Sequence, residues 1–289
     1  VFAILGATGK VGSSTIRALR AAAQPVRAII RDPAKAAPFE ALGCEIGIAD
    51  LQDVGALSKA IEGARGVQVI CPTAPRAIDA AADMRRTIDN IARALANTRP
   101  QTTLAISDYG AEVERGTGIT VLFHELEARL REAPTRSVFL RSAEHMENWT
   151  RIIQVAAQTG RLPSLHHPLS KRFPTISAHE VGRIAADLLM HPMSEAPLPR
   201  IVHAEGPRRY TPVEVADAMA KVLGRDVVAY ELPRADWHTT LRGAGLGDSV
   251  VQLVTELYDA HNQGLIDAES GGEIINGTIE LTDALKALL

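Results

Sequence analysis

Seven consecutive residues near the start of the chain, Gly6-Ala7-Thr8-Gly9-Lys10-Val11-Gly12, carry the spacing G-x-x-G-x-x-G between an apolar run and a helical stretch. This spacing suits an anion. Unpaired amides at a helix start point at a phosphate, the helix dipole favours negative charge, and a Cβ at Gly6 or Gly9 would obstruct the approach. Gly12 lets helix and strand pack closely, and a place at the head of a repeated strand-helix pattern favours a dinucleotide over a merely structural turn. No G-K-[ST] ends the turn, so it is not a Walker loop.

Three later strand ends offer polar groups to the same ligand. The second apolar run ends in Arg31-Asp32, with Lys35 close behind. A guanidinium fork and an ammonium there would neutralise a ribose 2′-phosphate, which favours NADP(H) over NAD; the alternative is surface charge paired with Asp32 or Glu40. Asp50, before Leu51, either accepts from an adenine amino group or caps the next helix. The segment Cys71-Pro72-Thr73 ends the fourth run, and Cys71 reads as a small apolar filler beside the cofactor rather than a nucleophile.

These residues need a scaffold, and the pattern supplies one. Runs at Val1–Gly6, Val26–Arg31, Cys44–Ala49, Val67–Cys71, Thr102–Ser107 and Ser137–Arg141 alternate with helical stretches at Val11–Ala23, Pro33–Leu42, Val54–Ile61, Ile78–Ala96 and Leu122–Glu132. The alternation predicts an α/β, doubly wound parallel sheet of the Rossmann kind over residues 1–150, completed by segments near 173–205. Beyond Arg141 the rhythm breaks and proline is frequent: Pro163, Pro168, Pro174, Pro192, Pro197, Pro199, Pro207 and Pro212. Residues 151–289 therefore read as a smaller α+β substrate lobe. Within it, strands are expected at Ile201–Ala204 and Val227–Glu231, one helix ending before Gly264 and another starting at Thr282. Capping boxes are expected at Ser177 with Glu180 and at Thr211 with Glu214.

Composition narrows the class. The 289 residues carry 31 basic and 34 acidic side chains, a formal charge of −3, which disfavours direct nucleic-acid binding. There is no run of 18 or more apolar residues for a membrane span, and Val1 onward reads as strand rather than export leader. Only Cys44 and Cys71 are present, so a disulfide scaffold is excluded and a cytoplasmic setting is expected. A metal site is not expected: in His124-Glu125 the second zincin histidine would fall at Ala128, and His166 and His167, adjacent before Pro168, should point apart. They could instead line a substrate pocket. Trp149 and Trp237 read as apolar anchors. The Asp83 to Arg86 charges read as a solvated helix face that could also support a homodimer.

With these residues placed, the sequence resembles the NmrA-like branch of the atypical short-chain dehydrogenase/reductases. The likeness rests on GATGKVG, RDPAK after the second run, Ala49-Asp50-Leu51, ISDYGAE at Ile106–Glu112 and FLRSAEHMENW at Phe139–Trp149. Later support comes from Tyr210–Val227 and from Pro233 to Trp237. The resemblance implies that Arg31 and Lys35 contact the adenosine phosphate, that Cys71 to Thr73 run beside the cofactor, and that Ser142 to Asn148 flank the nicotinamide. It implies an NADPH-dependent oxidoreductase for a quinone or carbonyl-like small molecule, or alternatively an NADP(H)-sensing regulator acting through a protein partner. The Tyr-x-x-x-Lys pair of related enzymes is missing, since Val113 stands four residues after Tyr109. A proton donor must then come from elsewhere, and the candidates are Ser107, which would also border the cofactor, Tyr109 and His124.

Overall fold

In the computed structural model, which describes residues 1–192 and 198–288, the first half of the chain alternates strand and helix. In order these are β1 (Phe2–Ile4), α1 (Lys10–Ala21), β2 (Val26–Ile30), α2 (Ala37–Glu40), β3 (Glu45–Ile48), α3 (Val54–Ile61), β4 (Gly66–Val69), α4 (Ala80–Thr98), β5 (Thr102–Asp108), α5 (Thr120–Arg131) and β6 (Arg136–Ser142). The second half runs β7 (Glu144–His145), α6 (Thr150–Thr159), β8 (Arg161–Ser164), β9 (Thr175–Ile176), α7 (Ala178–Met190), β10 (Arg200–Glu205), α8 (Pro212–Leu223), β11 (Val228–Glu231), α9 (Trp237–Gly243), α10 (Asp248–Gln263), β12 (Glu273–Asn276) and α11 (Leu281–Lys286). Pro197 lies outside the described residues.

The main sheet has eight strands in the order β12-β10-β6-β5-β4-β1-β2-β3, and every pairing in it is parallel. This is the expected doubly wound α/β fold. Strand order reverses between β1 and β4, which opens a crevice at their carboxyl ends. Strands β1 and β4 are buried on both faces because helices cover both, and the polar Gln68 of β4 accepts from the Thr15 hydroxyl of α1. Helices α1 and α7 pack on one face with Ile16, Leu19, Val181 and Ala185; α3, α4 and α5 cover the other with Leu57, Ile88, Ile91 and Leu126.

Several details differ from the sequence expectation for physical reasons. The stretch Pro33–Leu42 is divided into a 3-10 turn (Pro33–Lys35) and the four-residue α2, because Pro38 lacks the N–H that would continue one helix. Glu273–Asn276, inside the stretch 151–289, forms the outermost strand of the main sheet beside β10. The strand expected at Val227–Glu231 is present as β11 and pairs with β8 in a separate two-stranded sheet of the lobe. The Thr211–Glu214 capping box is formed, but Ser177–Glu180 is not. The Glu180 carboxylate accepts from the Thr278 and Ile279 amides of the segment after β12, while Glu147 accepts from the Ser177 hydroxyl and the Ala178 amide. Unmet donors of a segment distant in sequence outcompete the local cap. The lobe has its own core, in which Trp149, Phe173, Tyr210, Val215, Met219 and Leu285 are buried together.

Candidate active site

The turn after β1 has the form an anion cradle needs. Gly6 adopts φ +67°, a region costly for other residues, and its carbonyl accepts from the Gly9 amide at 2.9 Å. A Cβ on Gly12 would lie 2.3 Å from the Gly6 carbonyl oxygen, so only glycine lets the turn fold back onto α1. Gly182 of α7 is equally constrained: a Cβ there would meet Ser14 Cβ and the Val11 carbonyl oxygen at 2.5 Å, so α7 presses directly on the first turns of α1. No side chain caps α1 and its first turn contains no acid. Its leading amides remain available to a diphosphate.

Arg31 and Lys35 are exposed, and among the described residues neither makes an ion pair. Asp32 does not neutralise them through a salt bridge; it accepts from the Ala34 amide and starts the 3-10 turn. The helix cap after β3 is Asp53, which accepts from the Ala56 amide, while Asp50 accepts from the Gln52 amide in the preceding turn. Leu51 is half-buried behind it. Cys71 is buried with its thiol directed to the Met84 carbonyl, and burial pushes that thiol up to about 12. An inert filler fits this environment. Pro72 is exposed and Thr73 is half-buried, its hydroxyl 2.9 Å from the Met84 sulfur.

A cavity of about 430 Å³ starts at Val11 of α1, passes Ile70 and Cys71 at the end of β4 and Ile106 to Tyr109 at the end of β5, and continues into the lobe. Ser142, Ala143, Glu144, His145 and Asn148 line it, together with Tyr258 and His261 of α10. Aromatic and aliphatic groups, among them Phe123, Trp149, Leu165, Leu241 and Leu257, fill most of the wall. Trp149 lines this cavity with its indole N–H buried and without a protein acceptor, whereas Trp237 donates to the Leu232 carbonyl and acts as an anchor.

At the lobe end, one polar group is fully furnished with donors. Glu144 Oε1 accepts from the Tyr258 hydroxyl at 2.9 Å, and Glu144 Oε2 lies 3.1 Å from His166 Nε2. Burial alone would raise the Glu144 carboxyl, but the hydrogen bond and charge of His166, joined by Tyr258 and His261, hold it below its ordinary range. His166 stacks on Phe173 at 3.8 Å, and His261 packs edge-on against it. Burial, then His166, pushes His261 down to about 3, so it is neutral. His145 is also pushed down, first by burial, and its Nε2 lies 3.1 Å from the Ser142 hydroxyl. The adjacent His166 and His167 do point apart, with His167 turned to the Ser164 carbonyl. The sequence placed Glu144 only within the Ser142–Asn148 stretch expected beside the nicotinamide and did not mark Tyr258; 114 residues separate the two, and no short-range pattern marks such a pair.

The three residues expected to exchange a proton sit differently. Ser107 borders the cavity, but its hydroxyl donates to Glu127 Oε1 at 2.7 Å. Glu127 in turn grips Arg141 through both oxygens at 2.9 Å, and Arg141 Nη1 also donates to Glu112 and Glu269. Tyr109 presents its ring to the cavity while its hydroxyl lies 3.4 Å from Glu205, and burial and that carboxylate push the phenol far above its usual range. His124 is half-buried on α5 with Nδ1 against the Ala111 carbonyl; it does not line the cavity, whose wall takes its neighbour Phe123. Glu112, His203 and Glu269 bring three possible metal-ligand atoms within 4.8 Å of one another. Arg141 already donates to both carboxylates, so a guanidinium supplies their countercharge.

Two curated relatives span almost the whole chain. An NAD(P)H azoreductase of Xenophilus azovorans is 26% identical over 258 residues, covering 88% of this chain and 85% of its own. Quinone oxidoreductase 2 of Escherichia coli strain K12 is 24% identical over 271 residues, covering 92% and 90%. Among solved structures, the NADPH-dependent quinone oxidoreductase of Escherichia coli complexed with NADPH superimposes with a TM-score of 0.79 at 22% identity, over 100% of this chain and 99% of that one. The Citrobacter triphenylmethane reductase complexed with NADP(H) reaches 0.82 at 20% identity, over 100% of both. The sequence profile of the NmrA-like family matches residues 1–276, through the glycine turn, the cavity wall and the last strand alike, and the chain belongs to that family.

Proposed function

We propose that this protein is an NADPH-dependent oxidoreductase that delivers hydride to a quinone or a similarly conjugated acceptor such as an azo compound. The observation that carries this reading is the continuity of one apolar cavity from the phosphate turn to the lobe. Gly6, Ala7, Thr8, Gly9, Lys10, Val11 and Gly12 would hold the diphosphate, and the exposed Arg31 and Lys35 the 2′-phosphate. Asp50 and Leu51 would border the adenosine, and Cys71, Pro72, Thr73 and Ser107 the nicotinamide end. When bound, the nicotinamide supplies hydride.

The chain's own residues orient the acceptor and exclude water. The aromatic wall of Phe123, Trp149 and Tyr258 suits a flat conjugated ring. Names of relatives point the same way: one is an NAD(P)H azoreductase, another a quinone oxidoreductase. NADPH oxidation with a panel of quinones and azo compounds tests the reading. Turnover well above the protein-free rate is expected; cofactor binding with no turnover on any acceptor would favour the sensor instead.

A further inference from the structure

The reduction needs a proton as well as a hydride, and none of Ser107, Tyr109 and His124 is placed to give one. The cavity holds two carboxyl groups in opposite surroundings. Glu144 faces donors: the Tyr258 hydroxyl and His166 Nε2 occupy its two oxygens. Asp108 closes β5 at the cavity wall, opposite Ser142 in the sheet register, and the Thr120 hydroxyl donates to its Oδ2 at 2.6 Å. Two carboxyl groups whose environments are driven apart mark an acid and an anion. We propose that Asp108 is the proton donor of this active site, giving its carboxyl hydrogen to the acceptor while Glu144 remains the ionised partner that fixes Tyr258 and His166. The assignment rests on the reading of the protein as a hydride-transferring reductase.

The groups around Asp108 favour the neutral acid. Burial pushes its carboxyl up to about 7, against the opposing hydrogen bonds from Thr120 and the Tyr109 backbone, and the charges of Glu144 and Glu112 push in the same direction as burial. Among the described residues no lysine or arginine lines the cavity. The nearby Arg141 is turned to Glu127, Glu112 and Glu269. On the facing elements, His145 of β7 and His261 of α10 are both held toward the neutral form by burial. Tyr258 and His166 are directed to Glu144.

The balance closes. A quinone takes one hydride, which brings two electrons from the reduced nicotinamide, and one proton, which leaves the Asp108 O–H. The products are the hydroquinone, the oxidised nicotinamide and an Asp108 carboxylate, which regains its proton from water.

The test compares wild type with Asp108→Asn and Thr120→Val, using a 1,4-naphthoquinone and NADPH. Asp108→Asn should lower kcat by about 10²- to 10⁴-fold with NADPH affinity, read by fluorescence titration, kept within a few-fold. The wild-type kcat should fall as pH rises through neutrality. In Thr120→Val the loss of a bond that favours the carboxylate should move that fall to higher pH. In cofactor-free protein, an infrared band of a protonated carboxyl should vanish between about pH 6 and 8 and be missing from Asp108→Asn. Wild-type kcat and pH profile in Asp108→Asn, or an unchanged infrared band in that variant, would overturn the proposal. Failure of wild type to oxidise NADPH with any acceptor would defeat the reductase reading; the infrared band, which needs no cofactor, would still decide how Asp108 is protonated.

Discussion

The two ends of the cavity are built by different means. The phosphate end is backbone: a Gly6 carbonyl folded over Gly12, open amides at the start of α1, and little side-chain chemistry. The lobe end is side chain, with Glu144, His166 and Tyr258 brought together from β7, the segment after β8, and α10. A backbone cradle serves any member of a fold, because a diphosphate is the same wherever it binds. A side-chain wall adapts to an acceptor, and chemistry changes there without disturbing the cradle.

This division can be strained from either side. The largest effect is expected behind the lobe-facing wall, where Arg141 is 1% exposed and Glu127 fully buried. Glu127→Ala removes the two hydrogen bonds that Glu127 accepts from the buried Arg141 guanidinium, leaving those to Glu112 and Glu269, and orphans the Ser107 hydroxyl, so unfolding in urea should show a loss of about 3–5 kcal/mol. If the loss stayed under about 1 kcal/mol, the network would not be what braces that wall. At the cradle end, Arg31→Ala should weaken NADPH binding by about 1.5–3 kcal/mol, roughly 10- to 150-fold, and change NADH binding little, since only NADPH carries the extra phosphate. Calorimetry reads both, and equal losses would refute the 2′-phosphate role. The smallest effect is a local one in the lobe: Thr211→Ala opens the capping box of α8 and should cost about 1 kcal/mol without altering cofactor affinity.

The same contrast explains what was legible in the sequence. The β1-turn-α1 unit was readable because its glycines, its strand and its helix are contiguous, and so was the Thr211 box, set within a few residues; the cap of α3 was not, because Asp50 and Asp53 both precede the helix and only Asp53 accepts from its first turn. The doubly wound parallel sheet followed from the strand-helix alternation and right-handed crossovers, whereas the order of its strands came from the structure. The last strand, Glu273–Asn276, was hidden because its residues are mostly exposed at the sheet edge and show no strong apolar pattern. Glu180 was misread as a local cap because its partners stand 98 and 99 residues away. The acid pair was equally hidden: Asp108 lies in ISDYGAE and Glu144 in FLRSAEHMENW, but nothing local to either segment couples them, and only the fold sets both in one cavity.

The central claim is that the glycine turn binds the dinucleotide whose hydride enters the cavity. Titration of NADPH into wild type and Gly12→Val, followed by heat and by nicotinamide fluorescence, tests it most directly. Saturable one-to-one binding to wild type and none to a folded Gly12→Val, whose side chain would occupy the space of the Gly6 carbonyl, is the predicted result. No binding to wild type, or undiminished binding to the variant, would contradict it.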